Sequence, residues 1–353
     1  MAEVRPAEGP DDPDDPVVLA GRLLEIVNGS WMAQAARVAA ELGLADLLAA
    51  GPLGVAELAG ATGAHEPSLR RLLRALVTIG VCDELDGDEF AVTAMGRLLA
   101  ADADGSVRDW TRYWGRYLWD EWAQLPHSIT TGRAGREVVS GSRNFDALRE
   151  DPERAAVFNG AMADMTRLSA RGIVAGYDFS RFARITDVGG GYGELLAGVL
   201  LASPAATGVL LDLPHAVAHA RANLEKAGVA QRCELVAGSF FAEVPGGSDA
   251  YLLKNVLHDW DDERSASILA ACRAAMSASS RLLVIERLMP ERMEPVDGHR
   301  AMARSDLNML VAHAAQERTE AEFRRLLDGA GLRVGAVTPV PTGLHVIEAF
   351  VVD

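Results

Sequence analysis

The stretch Asp187-Val188-Gly189-Gly190-Gly191-Tyr192-Gly193-Glu194 lies between an apolar run typical of a strand and an apolar segment of helical length. Glycines at such a junction let a ligand approach the backbone closely at the carboxyl end of a parallel sheet. The spacing places Glu194 where a dinucleotide fingerprint requires its third glycine, and no Lys-Ser/Thr pair follows as in a phosphate-binding loop. The stretch therefore predicts a ligand-binding loop in an α/β fold and argues against a pyrophosphate ligand.

Apolar runs alternate with helix-length segments on both sides of this loop, as in a parallel sheet with helices on both faces. The predicted strands are Ile185–Val188, Val209–Leu211, Leu235–Ala237, Ala250–Leu253 and Leu282–Ile285. Two further runs, Leu332–Val340 and His345–Val352, flank Pro341-Thr342-Gly343, and this hairpin spacing makes the last strand antiparallel. Residues 176–353 are thus predicted to form a Rossmann-like sheet of seven strands.

A second acidic residue, Asp212, ends the strand that follows the glycine loop, about twenty residues downstream. A carboxylate at this place can accept hydrogen bonds from both hydroxyls of a ribose. Asp187 adds negative charge at the head of the loop, which suits a cationic ligand better than a phosphate. Glycine clusters also occur as plain structural turns, but together these features indicate a nucleoside without phosphates. S-adenosylmethionine, an adenosine joined to a sulfonium and an amino-acid tail, fits this description.

The region 17–105 is predicted to form short helices, because apolar residues recur at three- and four-residue spacing through Leu19–Val27, Met32–Leu42 and Leu69–Leu76. A helix-turn-helix is predicted across the Thr62-Gly63-Ala64 break, with Pro67 near a helix start. Asp86-Gly87-Asp88 joins two short apolar runs as a hairpin, so the region resembles a winged helix. Residues 1–105 contain seven Arg and no Lys against eighteen Asp plus Glu, a net charge of 7 − 18 = −11. A DNA-reading module should be basic, so a homodimerisation module is favoured over a DNA-binding one.

The composition is that of a globular chain of more than one domain, with 353 residues and 49% hydrophobic residues. Residues 1–16 form an acidic, proline-containing segment that is expected to be a disordered tail, and no export signal or membrane-spanning run is visible. Three widely spaced cysteines in apolar surroundings indicate reduced thiols and a cytoplasmic protein. The net charge of −16 argues against nucleic acid and membrane surfaces as partners.

The region 106–175 is predicted to be a helical linker that contributes to a substrate pocket. It is rich in Trp and Tyr, and Phe158 and Met162 follow at helical spacing. Such stripes are more often core, but pockets for flat apolar molecules also use aromatic and methionine walls. Both residues are therefore candidates for contact with the substrate.

Several motifs beyond the glycine loop stand in a characteristic order: Asp212-Leu213-Pro214, Gly238-Ser239-Phe240-Phe241 and Leu253-Lys254-Asn255-Val256-Leu257-His258-Asp259-Trp260. With these, nearly the whole chain resembles the plant and actinobacterial small-molecule O-methyltransferases that use S-adenosylmethionine. The resemblance implies methylation of a hydroxyl on a small aromatic molecule, with S-adenosylhomocysteine as the product and no metal. It also implies a winged-helix-like dimerisation domain at the N-terminus.

The resemblance places the cofactor among residues of four motifs. Gly189 and Gly191 would contact its methionine moiety and Asp212 its ribose. Ser239 and Phe240 would lie around its adenine with Trp260 nearby, and Lys254 would lie at the cofactor edge. Many members of the family have Asp where this chain has Ser239, and a hydroxyl is a weaker acceptor than a carboxylate.

His258 is the candidate general base, since methyl transfer requires removal of a proton from the acceptor hydroxyl. A neutral imidazole with its ordinary pKa near 6.5 suits this task for a phenol of pKa near 10. The resemblance implies that Glu286, at a strand end, and Glu317 orient the imidazole and stabilise its charged form. Glu317 has an alternative as a solvated charge ahead of a helix capped by Thr319. The remaining seven histidines lack such a context and are interpreted as structural.

Asp306, Asn308 and Met309 lie on a predicted helix, Arg300–Ala312, that would face the acceptor in this family. Helical Asp and Asn are as often surface residues. Two alternatives to methylation stay open: a winged-helix regulator with a ligand domain, and a relative that keeps the cofactor pocket but catalyses another reaction or none. The presence of His258 together with both glutamates favours methylation.

Overall fold

A computed structural model describes residues 14–141, 145, 148 and 151–352. Residues 1–13, most of the expected acidic tail, lie outside the described part of the chain. The chain divides into two compact units, Met1–Gly115 and Arg116–Asp353. No helix among the described residues combines the length and the apolar character needed to cross a membrane.

The first unit contains five α-helices and a small three-stranded sheet among its described residues. The helices are α1 (Pro16–Glu41), α2 (Leu44–Leu47), α3 (Val55–Thr62), α4 (Glu66–Thr78) and α5 (Arg108–Tyr113), with short 3-10 turns at Leu48–Ala50 and Gly96–Leu99. The strands are β1 (Leu53–Gly54), β2 (Cys82–Leu85) and β3 (Glu89–Val92), in the order β1-β3-β2 with antiparallel pairing. Strand β1 is too short to give a sequence signal.

The predicted helix-turn-helix and hairpin are present in this unit. Gly63 ends α3 in the left-handed conformation, and Pro67 stands in the first turn of α4, where its missing N–H costs nothing. The two predicted helices Leu19–Val27 and Met32–Leu42 are instead one helix, α1. Gly29 between them costs only about 1 kcal/mol in a helix interior, too little to interrupt 26 residues.

The second unit contains nine α-helices among its described residues and a seven-stranded sheet. The helices are α6 (Trp119–Trp122), α7 (Leu125–Thr131), α8 (Gly135–Ser140), α9 (Pro152–Gly176), α10 (Glu194–Ala202), α11 (Pro214–Lys226), α12 (Asp262–Ala275), α13 (Asp297–His313) and α14 (Glu320–Gly329). The strands are β4 (Arg184–Val188), β5 (Thr207–Asp212), β6 (Cys233–Ala237), β7 (Ala250–Lys254), β8 (Arg281–Glu286), β9 (Leu332–Pro339) and β10 (His345–Val351).

The order of the large sheet is β6-β5-β4-β7-β8-β10-β9, with β4 to β8 parallel and β10 antiparallel to both of its neighbours. The predicted seven-stranded sheet with an antiparallel last strand is therefore confirmed. Alternate residues of each central strand face opposite sides, so Leu252 packs under α10 and α11 while Leu253 packs under α12 and α14. Helices cover both faces.

The chain moves outward from β4 to β5 and β6, then returns to β7 on the other side of β4. Ligands of open α/β sheets bind at such a reversal, beyond the carboxyl ends of the strands. Asp187, Asp212, Lys254 and Glu286 all stand at or next to these ends. This edge carries the candidate site.

Candidate active site

The glycine loop leaves β4 with three residues in the left-handed region, Gly189 at φ +74°, Gly191 at φ +58° and Gly193 at φ +77°. A Cβ on Gly189 would come within 3.1 Å of the Val256 side chain, and one on Gly190 within 2.8 Å of the Asp187 carboxylate. A Cβ on Gly191 would meet no atom within 4 Å. The loop therefore needs glycine for packing on one side and presents bare backbone to open space at Gly191.

Asp212 holds the glycine loop through backbone hydrogen bonds. Its Oδ2 accepts from the N–H of Gly191 at 2.7 Å, and its Oδ1 accepts from the N–H of Leu213 at 2.6 Å. Burial raises the pKa of Asp212, while these two bonds act in the opposite direction. Each oxygen keeps a second lone pair, so the carboxylate can still accept from a ligand hydroxyl.

Asp187 and Lys254 are opposite charges at the ends of the two central strands. Burial and the nearby Asp212 charge raise the pKa of Asp187 to about 7, and its Oδ2 has no hydrogen-bond partner among the described residues. Burial lowers the pKa of Lys254 to about 8, and its Nζ donates to Thr166 Oγ1 at 3.0 Å. An unpartnered buried carboxylate oxygen is costly unless a donor from outside the chain meets it.

Aromatic rings form a wall beside the loop. The Trp260 ring meets those of Phe241 and Phe240 edge to face, at centroid distances of 4.8 Å and 6.2 Å. Ser239 is half-buried, and its Oγ accepts from the N–H of Phe241 at 3.3 Å, so the serine shapes the turn that carries the two phenylalanines. A flat apolar ring fits against such a wall.

His258 lies just after β7 in a short 3-10 turn, Leu257–Asp259, and is 8% exposed. Its Nδ1 lies 3.1 Å from Glu317 Oε1, in a hydrogen bond, and 3.6 Å from Glu286 Oε2. Because a carboxylate only accepts, Nδ1 carries a proton, and Nε2 is the nitrogen that gains or loses the second ring proton. The structure thus brings the three predicted catalytic residues together.

Both glutamates are held in place. Glu286 is fully buried, and its Oε1 accepts from the N–H groups of Val256 and Leu257 at 3.0 Å each. Glu317 is 4% exposed and accepts from Ser305 Oγ at 2.6 Å. The solvated-charge alternative for Glu317 is therefore wrong: Thr319 and Glu322 do form the capping box of α14, but Glu317 points inward.

The electrostatics of His258 differ from the expectation of an ordinary imidazole. Burial lowers the pKa of His258, but the three neighbouring carboxylates outweigh it and raise that pKa to about 10. Burial raises the pKa of Glu286 to about 7, whereas the charge of His258 and its hydrogen bond lower the pKa of Glu317 despite burial. His258 and Glu317 therefore form an ion pair in the free protein.

Asp259 and Arg318 stand beside His258 through contacts that its neighbours in the sequence do not reveal. Asp259 Oδ1 lies 3.6 Å from His258 Nε2 and 3.5 Å from His313 Nε2. Arg318 is fully buried and donates to the carbonyls of Leu257 and Trp260 at 2.7 and 2.8 Å, which holds the His258 turn. Only the tertiary fold shows these contacts.

The candidate substrate residues lie on α9 and α13. Phe158 and Met162 are half-buried and share a face of α9 with Thr166, at four-residue spacing. On α13, Asn308 Oδ1 accepts from Trp122 Nε1 at 2.9 Å, Met309 is buried, and Asp306 Oδ1 accepts from the N–H of Glu317 at 2.9 Å. Asp306 and Asn308 thus already have protein partners, and Asp306 positions the backbone of Glu317.

Two family models match the chain: an O-methyltransferase domain over residues 122–333 and an O-methyltransferase dimerisation domain over residues 24–102. The chain belongs to the O-methyltransferase family. It is similar to the phenazine O-methyltransferase of Lysobacter antibioticus, with 41% identity over 94% of this chain and 96% of the relative. It is also similar to the phenazine-1-carboxylate N-methyltransferase of Pseudomonas aeruginosa, with 33% identity over 94% and 97% of the two chains.

A solved relative shows the ligands of such a site. The O-methyltransferase of neocarzinostatin biosynthesis, crystallised with S-adenosylmethionine and 2-hydroxy-5-methyl naphthoic acid, has a TM-score of 0.76 and 35% identity to this O-methyltransferase, covering 91% of this chain and 96% of its own. The structural neighbours are S-adenosylmethionine-dependent methyltransferases, as the predicted fold class requires.

Proposed function

We propose that this O-methyltransferase transfers a methyl group from S-adenosylmethionine to a hydroxyl of a small aromatic secondary metabolite, with His258 as general base. The observation that carries the proposal is the buried His258 with Nδ1 directed at two glutamates. That arrangement keeps one proton on Nδ1, so the neutral form of His258 takes the hydroxyl proton at Nε2. The naphthoic acid bound by the neocarzinostatin relative supports an aromatic acceptor.

The residues at the strand ends fit the cofactor. Open space at Gly191 allows its methionine moiety to approach the backbone, Asp212 would accept from the ribose hydroxyls, and the unpartnered Asp187 Oδ2 suits its ammonium group. The adenine would lie at the ring wall of Phe240 and Trp260, near Ser239 and Lys254. When bound, the cofactor supplies an electrophilic methyl group on a sulfonium.

The chemical work of the chain is removal and storage of one proton. His258 is protonated in the free protein, so the complex that reacts has first lost the Nε2 proton to solvent. As the acceptor oxygen gains a methyl group, its proton passes to the vacated Nε2, and the imidazolium formed again is stabilised by Glu317 and Glu286. A phenol and this imidazole both have pKa values near 10, so the transfer is close to balanced in energy. Asp306 and Arg318 position the glutamate and the histidine turn.

Oxygen rather than nitrogen is the proposed methyl acceptor, although an N-methyltransferase is among the relatives. A ring nitrogen attacks through a free lone pair, whereas a phenol gains nucleophilicity when it loses a proton. Three carboxylates around one imidazole stabilise the imidazolium that forms when a phenol loses its proton, so they favour an oxygen acceptor. The test is transfer of a carbon-13 methyl group to a panel of naphthols and aminonaphthols, followed by NMR of the product. An O-methyl resonance is expected, and exclusive N-methylation would overturn the proposal.

Transfer is proposed to need no metal, although the ligand atoms of His258, Glu286 and Glu317 lie within 4.8 Å of one another, a spacing that could hold an ion. Glu286 Oε1 already accepts two backbone N–H bonds, and Glu317 Oε1 accepts from Ser305. Unchanged turnover after dialysis against a chelator is the expected result, and turnover restored only by an added divalent metal would contradict it.

A homodimer is proposed through the first unit. Residues 17–31 of α1 expose large apolar side chains that nothing in this unit covers: Val17, Leu19, Leu23, Leu24, Ile26, Val27 and Trp31. Ile26 is 77% exposed and Trp31 66%. Apolar surface of this extent on one helix marks an interface, and the matching dimerisation model covers part of it.

The proposed site of action is the cytoplasm.

A further inference from the structure

His313 occupies a position at the candidate site that the proposed mechanism does not use. It is the last residue of α13, and its side chain is only 5% exposed. Its ring lies 5.0 Å from that of Phe145, which in turn lies 5.6 Å from the ring of Phe158. The imidazole therefore lies between Asp259 of the His258 turn and Phe145, which contacts the predicted substrate residue Phe158.

The tautomer of His313 follows from its neighbours. Its Nε2 lies 3.5 Å from Asp259 Oδ1, and a carboxylate only accepts, so the ring proton belongs on Nε2. Burial and the positive charges of Arg136 and His258 lower the pKa of His313 well below its ordinary value, so the ring is neutral. Nδ1 is then a bare acceptor. No donor among the described residues meets this buried atom.

A buried ring nitrogen without a donor is costly, and native structures keep few such atoms. Asp259 Oδ1 lies 3.6 Å from His258 Nε2 and 3.5 Å from His313 Nε2, so the two imidazoles border the same carboxylate oxygen. In the proposed function, His258 takes the proton of the methylated hydroxyl. A hydrogen-bond donor beside that hydroxyl on the same aromatic ring would supply the partner that His313 Nδ1 lacks.

We infer that His313 Nδ1 selects acceptors that carry a hydrogen-bond donor, a hydroxyl or an amino group, next to the methylated hydroxyl. The inference rests on the proposed function for the position of the acceptor. It assigns His313 as a specificity-determining residue and narrows the substrate class to vicinal dihydroxy or aminohydroxy aromatics. The donor bond is expected to contribute about five- to tenfold in affinity.

The test compares two probes that differ by one donor, 2,3-dihydroxynaphthalene and 2-naphthol. Their dissociation constants are measured by calorimetry on protein saturated with S-adenosylhomocysteine, so that no turnover is needed. We expect the wild type to bind the diol about five- to tenfold more tightly. Equal affinities in the wild type, or no binding of either probe, would overturn the inference without any variant.

Two variants separate the acceptor atom from the bulk of the ring. His313→Phe keeps a ring but has no acceptor, and it should bind the two probes equally. His313→Asn keeps an oxygen near the place of Nδ1 and should restore the preference for the diol. A preference that survives in His313→Phe would overturn the inference. Methyl transfer is assayed separately: diol that binds with the expected preference but is never methylated contradicts the proposed function and leaves His313 as the selecting residue.

Discussion

Replacement of Glu317 by Gln tests whether carboxylates set the basicity of His258. The change keeps an oxygen that can accept from the His258 N–H, since Nδ1 lies 3.1 Å from Glu317 Oε1 in the wild type. It removes the negative charge of the side chain. Three carboxylates raise the pKa of His258 from 6.5 to about 10 while also offsetting its burial. The net increase shared by the three carboxylates thus amounts to about one pKa unit for each on average. We expect Glu317→Gln to lower the pKa of His258 by at least about one unit.

The sign follows from the charge state that is stabilised. Glu317 stabilises the imidazolium, so its loss favours the neutral ring at a given pH. The assay is NMR titration of carbon-13-labelled histidine with S-adenosylhomocysteine bound, in which the His258 resonance is identified by its loss in His258→Ala. Glu225→Gln, at an exposed position of α11, is the matched control and should change nothing. An unchanged or raised pKa in Glu317→Gln would refute the electrostatic argument.

The remaining predictions concern pH, the cofactor and the dimer. In the wild type, kcat/KM should rise about tenfold per pH unit from pH 6 to 9. The reason is that only the neutral form of His258 can act as a base, and the fraction of this form grows about tenfold per unit below its pKa of about 10. A plateau above pH 7 would contradict this. Asp212→Asn keeps the side-chain shape but cannot accept equally at both positions, so calorimetry should show S-adenosylhomocysteine bound at least about tenfold more weakly. Sedimentation should show a dimer at micromolar concentration that Ile26→Asp dissociates, and a wild-type monomer would exclude the proposed interface.

Much of the fold was predictable because its signals are local. Each strand of the large sheet is a short apolar run, and the hairpin around Gly343 and the turn at Gly63 have the residues that such turns need. The position of Asp187 and Asp212 at the carboxyl edge of the sheet was predictable for the same reason, since both stand at or next to the end of an apolar run. The continuity of α1 across the two predicted helices was not predictable, because Gly29 interrupts the apolar spacing without ending the helix.

The acceptor side of the site depends on contacts between distant segments. Glu317 is 59 residues from His258 in the sequence. Its burial could not be predicted, because the capping box of Thr319 and Glu322 already accounts for the polar residues around it. His313 was interpreted as structural because nothing near it in the sequence suggests Asp259 as a neighbour. The raised pKa of His258 likewise comes from three carboxylates that only the tertiary structure assembles.

The central claim, that His258 removes the acceptor proton, is tested most directly by His258→Ala. Turnover on a phenolic acceptor should fall by about 10²–10⁴-fold, the usual contribution of a positioned base. The affinity for S-adenosylhomocysteine should stay within about twofold of wild type, because the glycine loop and Asp212 hold the cofactor. Raising the pH should partly restore the variant as the phenol ionises in solution, whereas His65→Ala, at an exposed position, should behave like wild type. A His258→Ala protein that methylates at a near-native rate at pH 7 would contradict the assignment of His258 as the base.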